Sequence, residues 1–226
     1  MNKDLTEIVV VLDKSGSMGS VREDTIGGFN TFLQDQKELP GEAVLTLTMF
    51  DTEYSFVERG TLLENVQPLS NETYAPGGLT ALLDAVGKTI NDVVSRHATL
   101  PEDEKPGKVV FVVLTDGEEN SSREITKKSE LVKMVKKQEE DYEWEIVFLG
   151  ADIDAWGDGS SMGFSKSRGV SKDDMFSNMS KMSYYTANMR VSNANSRTYD
   201  DTLLNSTFDM SDEDVKKQMD DLKKKK

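Results

Sequence analysis

The stretch Leu12-Asp13-Lys14-Ser15-Gly16-Ser17-Met18 decides the fold, because an apolar strand ends there and a loop rich in side-chain oxygens begins. The preceding residues 8–11 are Ile-Val-Val-Val, a run typical of a strand buried on both faces. A helical pattern follows the loop. One carboxylate and two hydroxyls therefore lie at the carboxyl end of a buried strand. Hard oxygen ligands of this kind suit Mg²⁺ or Mn²⁺.

Two later stretches bring further oxygen ligands. The turn Pro76-Gly77-Gly78-Leu79-Thr80 delivers a threonine hydroxyl to the start of a helix, and the apolar run 109–114 ends in Thr115-Asp116-Gly117. In open α/β sheets, ligands bind at the carboxyl ends of the strands where the strand order reverses. If the two apolar strands are neighbours at that point, Asp13 and Asp116 face the same crevice.

The spaced set formed by these residues resembles the metal ion-dependent adhesion site of von Willebrand factor A (vWA) domains; its members are Asp13, Ser15, Ser17, Thr80 and Asp116. The resemblance implies that the three hydroxyls contact the metal directly and that the two carboxylates hold it largely through water. The sequence Val-Leu-Asp-Lys-Ser-Gly-Ser-Met is similar to that of stand-alone bacterial or phage vWA proteins. Such proteins often serve as adaptors or assembly factors for other proteins.

Strands alternate with helices along the chain, which predicts a doubly wound α/β fold. The resemblance implies that this fold is of the Rossmann-like vWA type. We expect a mostly parallel central sheet with helices on both faces. Asp51-Thr52-Glu53 separates two strand-like runs and predicts a hairpin that adds one antiparallel edge strand. Ser122 is predicted to cap the charged helix that follows the second buried strand.

The chain divides into a predicted vWA domain at 1–196 and a C-terminal extension at 197–226. In the extension, Ser211 begins a capping box that predicts a short helix, and a run of lysines at 223–226 follows. This extension could pack on the domain, mediate self-association or stay mobile.

Composition excludes several classes of function. A net charge of −14 opposes nucleic acid or anionic membrane as the main partner. No cysteine is present and His97 is the single histidine, so nucleophilic triads have almost no candidates. His97 is predicted to lie at a helix end, either on the surface or interacting with the helix C-terminus. The N-terminus lacks the apolar segment of a secretory signal and no run approaches a membrane span, which predicts a cytoplasmic protein.

The predicted function follows from incomplete coordination. Mg²⁺ prefers six oxygens, so a cation held by neutral hydroxyls keeps a position open. The resemblance implies that an Asp or Glu of a partner protein fills it. We therefore expect a metal-dependent protein-binding module and no enzymatic activity.

Two alternatives remain open. A Mg²⁺-dependent phosphatase of the haloacid dehalogenase type would use Asp13 as its nucleophile, although Ser15 stands where those enzymes have a second acid. Alternatively, the metal is structural and the chain binds its partner through the C-terminal helix.

Overall fold

A six-stranded sheet forms the centre of the molecule in the computed structural model, which describes residues 1–151, 155–191 and 201–224. The strand order is β3-β2-β1-β4-β5-β6, and only β3 runs antiparallel to its neighbour. The strands are β1 (Asn2–Asp13), β2 (Glu42–Phe50), β3 (Tyr54–Leu62), β4 (Pro106–Thr115), β5 (Glu145–Ala151) and β6 (Lys166–Val170). The predicted mostly parallel sheet with one antiparallel edge strand is confirmed.

Helices cover both faces of this sheet, as predicted. The first face packs against α1 and α5, and the second against α2 and α3. The helices are α1 (Arg22–Glu38), α2 (Leu82–Thr99), α3 (Lys128–Asp141), α4 (Ala155–Ser161), α5 (Met175–Val191), α6 (Asp201–Asp209) and α7 (Asp212–Lys223). The sequence of residues 152–163 predicts a short helix and loop, and the first three of these residues, 152–154, lie outside the described residues. No helix in the described ranges is both long enough and apolar enough to cross a membrane.

Strand β1 explains why the first apolar run is continuous. It pairs in parallel with β2 on one side and β4 on the other. Successive side chains of a strand point to opposite faces. Val10 and Leu12 accordingly join the core beneath α1 and α5, while Val9 and Val11 join the core beneath α2 and α3.

The C-terminal segment packs against the rest of the molecule in its described part. Ser211 caps α7 by accepting a hydrogen bond from the backbone of Asp214, as predicted. The apolar side of α7 is buried in a cluster with the end of α1 and with α5, made of Leu39, Tyr184, Ala187, Val215, Met219 and Leu222. The predicted boundary at 196/197 and the last two lysines fall outside the described residues, so the division into two parts stays a prediction.

Two local predictions were wrong. The charged helix α3 begins at Lys128, well after Ser122, whose hydroxyl instead accepts a hydrogen bond from the Asp84 backbone in the first turn of α2 (3.0 Å). His97 lies in the last turn of α2, as predicted, but not on the surface, because its side chain is only 17% exposed and its Nε2 lies 2.5 Å from Glu7 Oε2. Sequence periodicity cannot reveal either long-range partner.

Glu7 is a buried acid near the start of β1. It accepts hydrogen bonds from Thr46 and His97 and pairs with the Arg96 guanidinium. Burial alone would raise its pKa, but the His97 hydrogen bond and the Arg96 charge outweigh burial and hold the pKa of Glu7 below its ordinary value. The ionised carboxylate therefore links β1 to the C-terminal end of α2.

We predict that Glu7→Gln lowers the free energy of unfolding by about 3 kcal/mol at pH 7, because it breaks a buried ion pair. Since folding depresses the pKa of Glu7, its contribution is complete above the unfolded pKa and is lost as the pH falls through the folded value. Urea unfolding between pH 7 and 3 should therefore show a smaller acid-dependent loss in this variant than in wild type. The exposed Glu72→Gln serves as the control, and an equal acid-dependent loss in both variants would contradict the assignment.

Candidate metal centre

Asp13 and Asp116 end neighbouring strands. Asp13 is the last residue of β1, and Asp116 follows the last residue of β4. From β1 the chain moves to β2 on one side, whereas β4 continues to β5 on the other, so the strand order reverses between β1 and β4. The two acids therefore lie at the carboxyl edge of the sheet, at the position where open α/β sheets bind ligands.

The Asp13 carboxylate is fully buried and both of its oxygens are hydrogen-bonded. The backbone N–H of Ser15 donates to Oδ1 and the hydroxyl of Thr115 donates to Oδ2, each at 2.6 Å. Burial raises the pKa of Asp13 above its ordinary value, the hydrogen bonds oppose this rise, and the nearby charge of Asp116 adds to it. A cation in this crevice would offset that cost.

Ser15, Ser17 and Asp116 form a connected row of oxygens. The two serine hydroxyl oxygens lie 3.1 Å apart, and Ser17 donates a 2.6 Å hydrogen bond to Asp116 Oδ1. Ser15 and Asp116 are buried, whereas Ser17 between them is exposed, so the row reaches the surface at Ser17. The structure thus brings together four of the predicted site residues.

Thr80, the fifth residue, joins the site through the loop that follows β4. Its N–H donates to Asn120 Oδ1 (2.9 Å), and its carbonyl accepts from the backbone of Asn120 (3.0 Å). A Cβ added at Gly117 would lie 2.8 Å from Thr80 Oγ1. The threonine hydroxyl is therefore next to the residue that follows Asp116, and only a glycine fits there without displacing it.

Two further acids near this edge accept hydrogen bonds from backbone donors. Asp84 accepts hydrogen bonds from the backbone of residues 123–125, and Glu119 accepts from the backbone of Leu83, Ser121 and Ser122. Together they attach the loop after β4 to the start of α2. This role was not predicted, because nothing in the local sequence distinguishes these acids from solvated ones.

Tyr74 and Lys172 are two further residues that the sequence did not reveal. The buried Tyr74 hydroxyl donates to the Asp13 carbonyl (2.6 Å). The Lys172 ammonium lies 2.5 Å from Asp116 Oδ2 and donates to the Ser17 carbonyl at 2.6 Å. Lys172 belongs to a 3₁₀ turn, Lys172–Asp174, that only the folded chain brings to this edge.

The donor set fits a hard divalent cation. Its oxygens come from hydroxyls and from two carboxylates, a chemistry suited to Mg²⁺ or Mn²⁺. Asp116 Oδ2 makes no hydrogen bond of normal geometry within the described residues, and its close neighbour is a positive charge. Within the described ranges, no group of three or more His, Cys, Asp or Glu could hold a metal, so this site depends on its hydroxyl oxygens.

Comparison with known proteins identifies the fold. No protein-family model matches the chain, and no curated protein matches it in sequence. Solved structures do match. The vWF domain of the type V pili tip protein Mfa5 from Porphyromonas gingivalis aligns with a TM-score of 0.58 at 10% identity, over 84% of this chain and 97% of that domain.

Two further structures agree with this result. The manganese-loaded TRAP protein of Plasmodium vivax aligns with a TM-score of 0.52 at 14% identity, over 78% of this chain and 72% of that one. A von Willebrand factor type A protein from Catenulispora acidiphila aligns with a TM-score of 0.52 at 12% identity, over 80% and 42%. The chain therefore has the vWA fold, as its sequence predicted.

We predict that Gly117→Ala disturbs the site through Thr80, because the added methyl group would overlap the Thr80 hydroxyl. The expected loss of unfolding free energy is about 2 kcal/mol, with weaker Mn²⁺ binding. Gly77→Ala is a matched control in the turn that precedes Thr80, because a Cβ added at Gly77 meets nothing within 4 Å. Thermal unfolding and Mn²⁺ titration of both variants check this, and equal behaviour would show that Thr80 does not depend on a glycine at 117.

Proposed function

We propose that this chain, which has the vWA fold, is a protein-binding module that depends on a divalent metal. The observation that carries the proposal is the connected row of oxygens from Ser15 through Ser17 to Asp116, with Asp13 behind it. Such a row offers hard oxygen ligands at the carboxyl edge of the sheet and reaches the surface at Ser17. Mg²⁺ or Mn²⁺ is the ion that these ligands suit.

Each residue has a distinct role in this proposal. The hydroxyls of Ser15, Ser17 and Thr80 would hold the ion, with Asp13 and Asp116 behind them. Asp13 fixes the backbone of Ser15, and Asp116 orients the hydroxyl of Ser17. When bound, the metal supplies a Lewis-acid position that an Asp or Glu of a partner protein can occupy.

The net charge of the chain supports a local cation as the point of contact. At −14, the protein repels an acidic partner at long range. An acidic side chain therefore needs a concentrated positive charge at the contact. The same net charge opposes nucleic acid and anionic membranes, which present many negative charges over a wide area, as the main partner. Self-association, a cytoplasmic location and the stand-alone bacterial or phage type stay predictions from the sequence.

The two alternatives receive less support. A nucleophilic Asp13 needs an oxygen open to phosphorus, yet this carboxylate is fully buried and both oxygens accept hydrogen bonds. Binding through the C-terminal helix needs a free apolar face, yet Val215, Met219 and Leu222 are buried. The absence of enzymatic activity stays a prediction.

Metal binding is tested by thermal unfolding of metal-stripped protein in increasing Mg²⁺ or Mn²⁺. Because an ion that binds only the folded state stabilises it, wild type should gain about 2.7 kcal/mol at a metal concentration 100 times the Kd. Asp116→Ala should lose this gain. Asp103→Ala removes the same charge from an exposed position in the loop before β4 and should respond like wild type. No shift in wild type at millimolar metal would contradict the proposal.

The open coordination position is tested with acetate as a minimal carboxylate. In Mn²⁺-loaded protein, acetate should displace metal-bound water and lower the water-proton relaxivity. Acetamide, which has the same shape without the charge, should leave the relaxivity unchanged. If acetate also has no effect while Mn²⁺ binds, the metal is structural and recognition lies elsewhere.

A further inference from the structure

Lys172 places a positive charge inside the candidate metal centre. Its ammonium lies 2.5 Å from Asp116 Oδ2 and 2.6 Å from the Ser17 carbonyl oxygen. The Lys172 side chain is 17% exposed and the Asp116 side chain 1%, so water screens the pair only weakly. The ammonium thus lies directly beside the row of donor oxygens, against the Asp116 oxygen that does not accept from the Ser17 hydroxyl.

We propose that Lys172 is the resident cation of this site and competes directly with the divalent metal; this inference rests on the proposed metal site. Asp116 uses one carboxylate oxygen for Ser17 and the other for Lys172. A divalent ion held by the same residues would place two further positive charges beside the ammonium. Because like charges repel strongly where water is scarce, the ion and the ammonium cannot both keep these contacts.

The lysine inside the sequence motif does not have this role. The Lys14 ammonium pairs with Asp51, and its backbone N–H donates to the Phe50 carbonyl. It therefore points toward the end of β2 and away from Asp116. The competing charge comes from Lys172, which the chain supplies from the turn before α5.

Lys172 can leave the site without unfolding its turn. The turn is anchored by Asn178, whose side-chain amide donates to the Ser171 carbonyl (2.7 Å). A lysine side chain has four rotatable bonds, so the ammonium can swing outward while the backbone stays in place. Asp173 and Asp174 are exposed next to Lys172, and their carboxylates can pair with the displaced ammonium.

The proposal predicts effects of opposite sign with and without metal. In EDTA, the ammonium offsets the Asp116 charge, so its removal should lower the melting temperature. In Mn²⁺, its removal abolishes the competition, so the ion should bind more tightly. A lysine with only a structural role would lower stability without strengthening metal binding.

The experiment compares Mn²⁺ affinity by isothermal titration calorimetry at pH 7 and fixed ionic strength. Lys172→Met keeps the length of the side chain and removes its charge, and it should bind Mn²⁺ about tenfold more tightly, which corresponds to about 1.4 kcal/mol. Lys172→Arg keeps the charge and should show no such gain. Lys223→Met removes the same charge far from the site. Lys223 ends α7 and pairs with Asp35 and Glu38 near the C-terminal end of α1, so this variant should bind Mn²⁺ with the affinity of wild type.

The outcomes separate the two proposals. If Lys172→Met binds Mn²⁺ no more tightly than wild type, the competition is refuted and the metal site stands. If wild type and every variant fail to bind Mn²⁺, both proposals fail. If the Lys172→Met protein does not fold without metal, Lys172→Gln replaces it, because the amide keeps a hydrogen-bond donor for the Ser17 carbonyl. Lys172→Gln must then show the same tenfold gain in Mn²⁺ affinity.

Discussion

Two carboxylates at one buried edge of the sheet are the constraint on which the rest of this structure depends. Asp13 and Asp116 end neighbouring strands, so the fold itself forces their charges together. Such a pair is costly unless donors or cations compensate it. The Thr115 hydroxyl, the Ser15 N–H and the Ser17 hydroxyl supply donors, and Lys172 supplies a positive charge. These groups come from the end of β4, from the loop after β1 and from the turn before α5.

The sequence predicted the features that depend on local pattern. The apolar runs before Asp13 and Asp116 are recognisable because both strands are buried on two faces, and their parallel pairing places the acids at one edge. The hairpin and the Ser211 cap are equally local signals. The residues that determine each strand, turn or cap lie within a few positions of one another, and the general topology of parallel α/β sheets then brings the distant strand ends together.

The features that the sequence missed depend on contacts between distant segments. Lys172 and Tyr74 reach the site only after the sheet has formed, and neither stands in a distinctive local pattern. His97 occupies a helix end that looks solvent-facing until Glu7 is placed beside it. Ser122 resembles the cap of the next helix, yet it serves the first turn of α2. Residues of one type fit several roles, and only the folded chain selects among them.

The antiparallel strand β3 has a consequence beyond the site. An unpaired strand edge can act as a template for aggregation between chains. Here the ladder between β2 and β3 is irregular on both sides of Leu47, and the outer strand carries charges such as Glu58 and Arg59. At the opposite edge, Arg168 of β6 reaches Asn205 and Asp209 of α6. Both margins of the sheet are thus poor surfaces for adding a further strand, which disfavours edge-to-edge pairing between two copies of the chain.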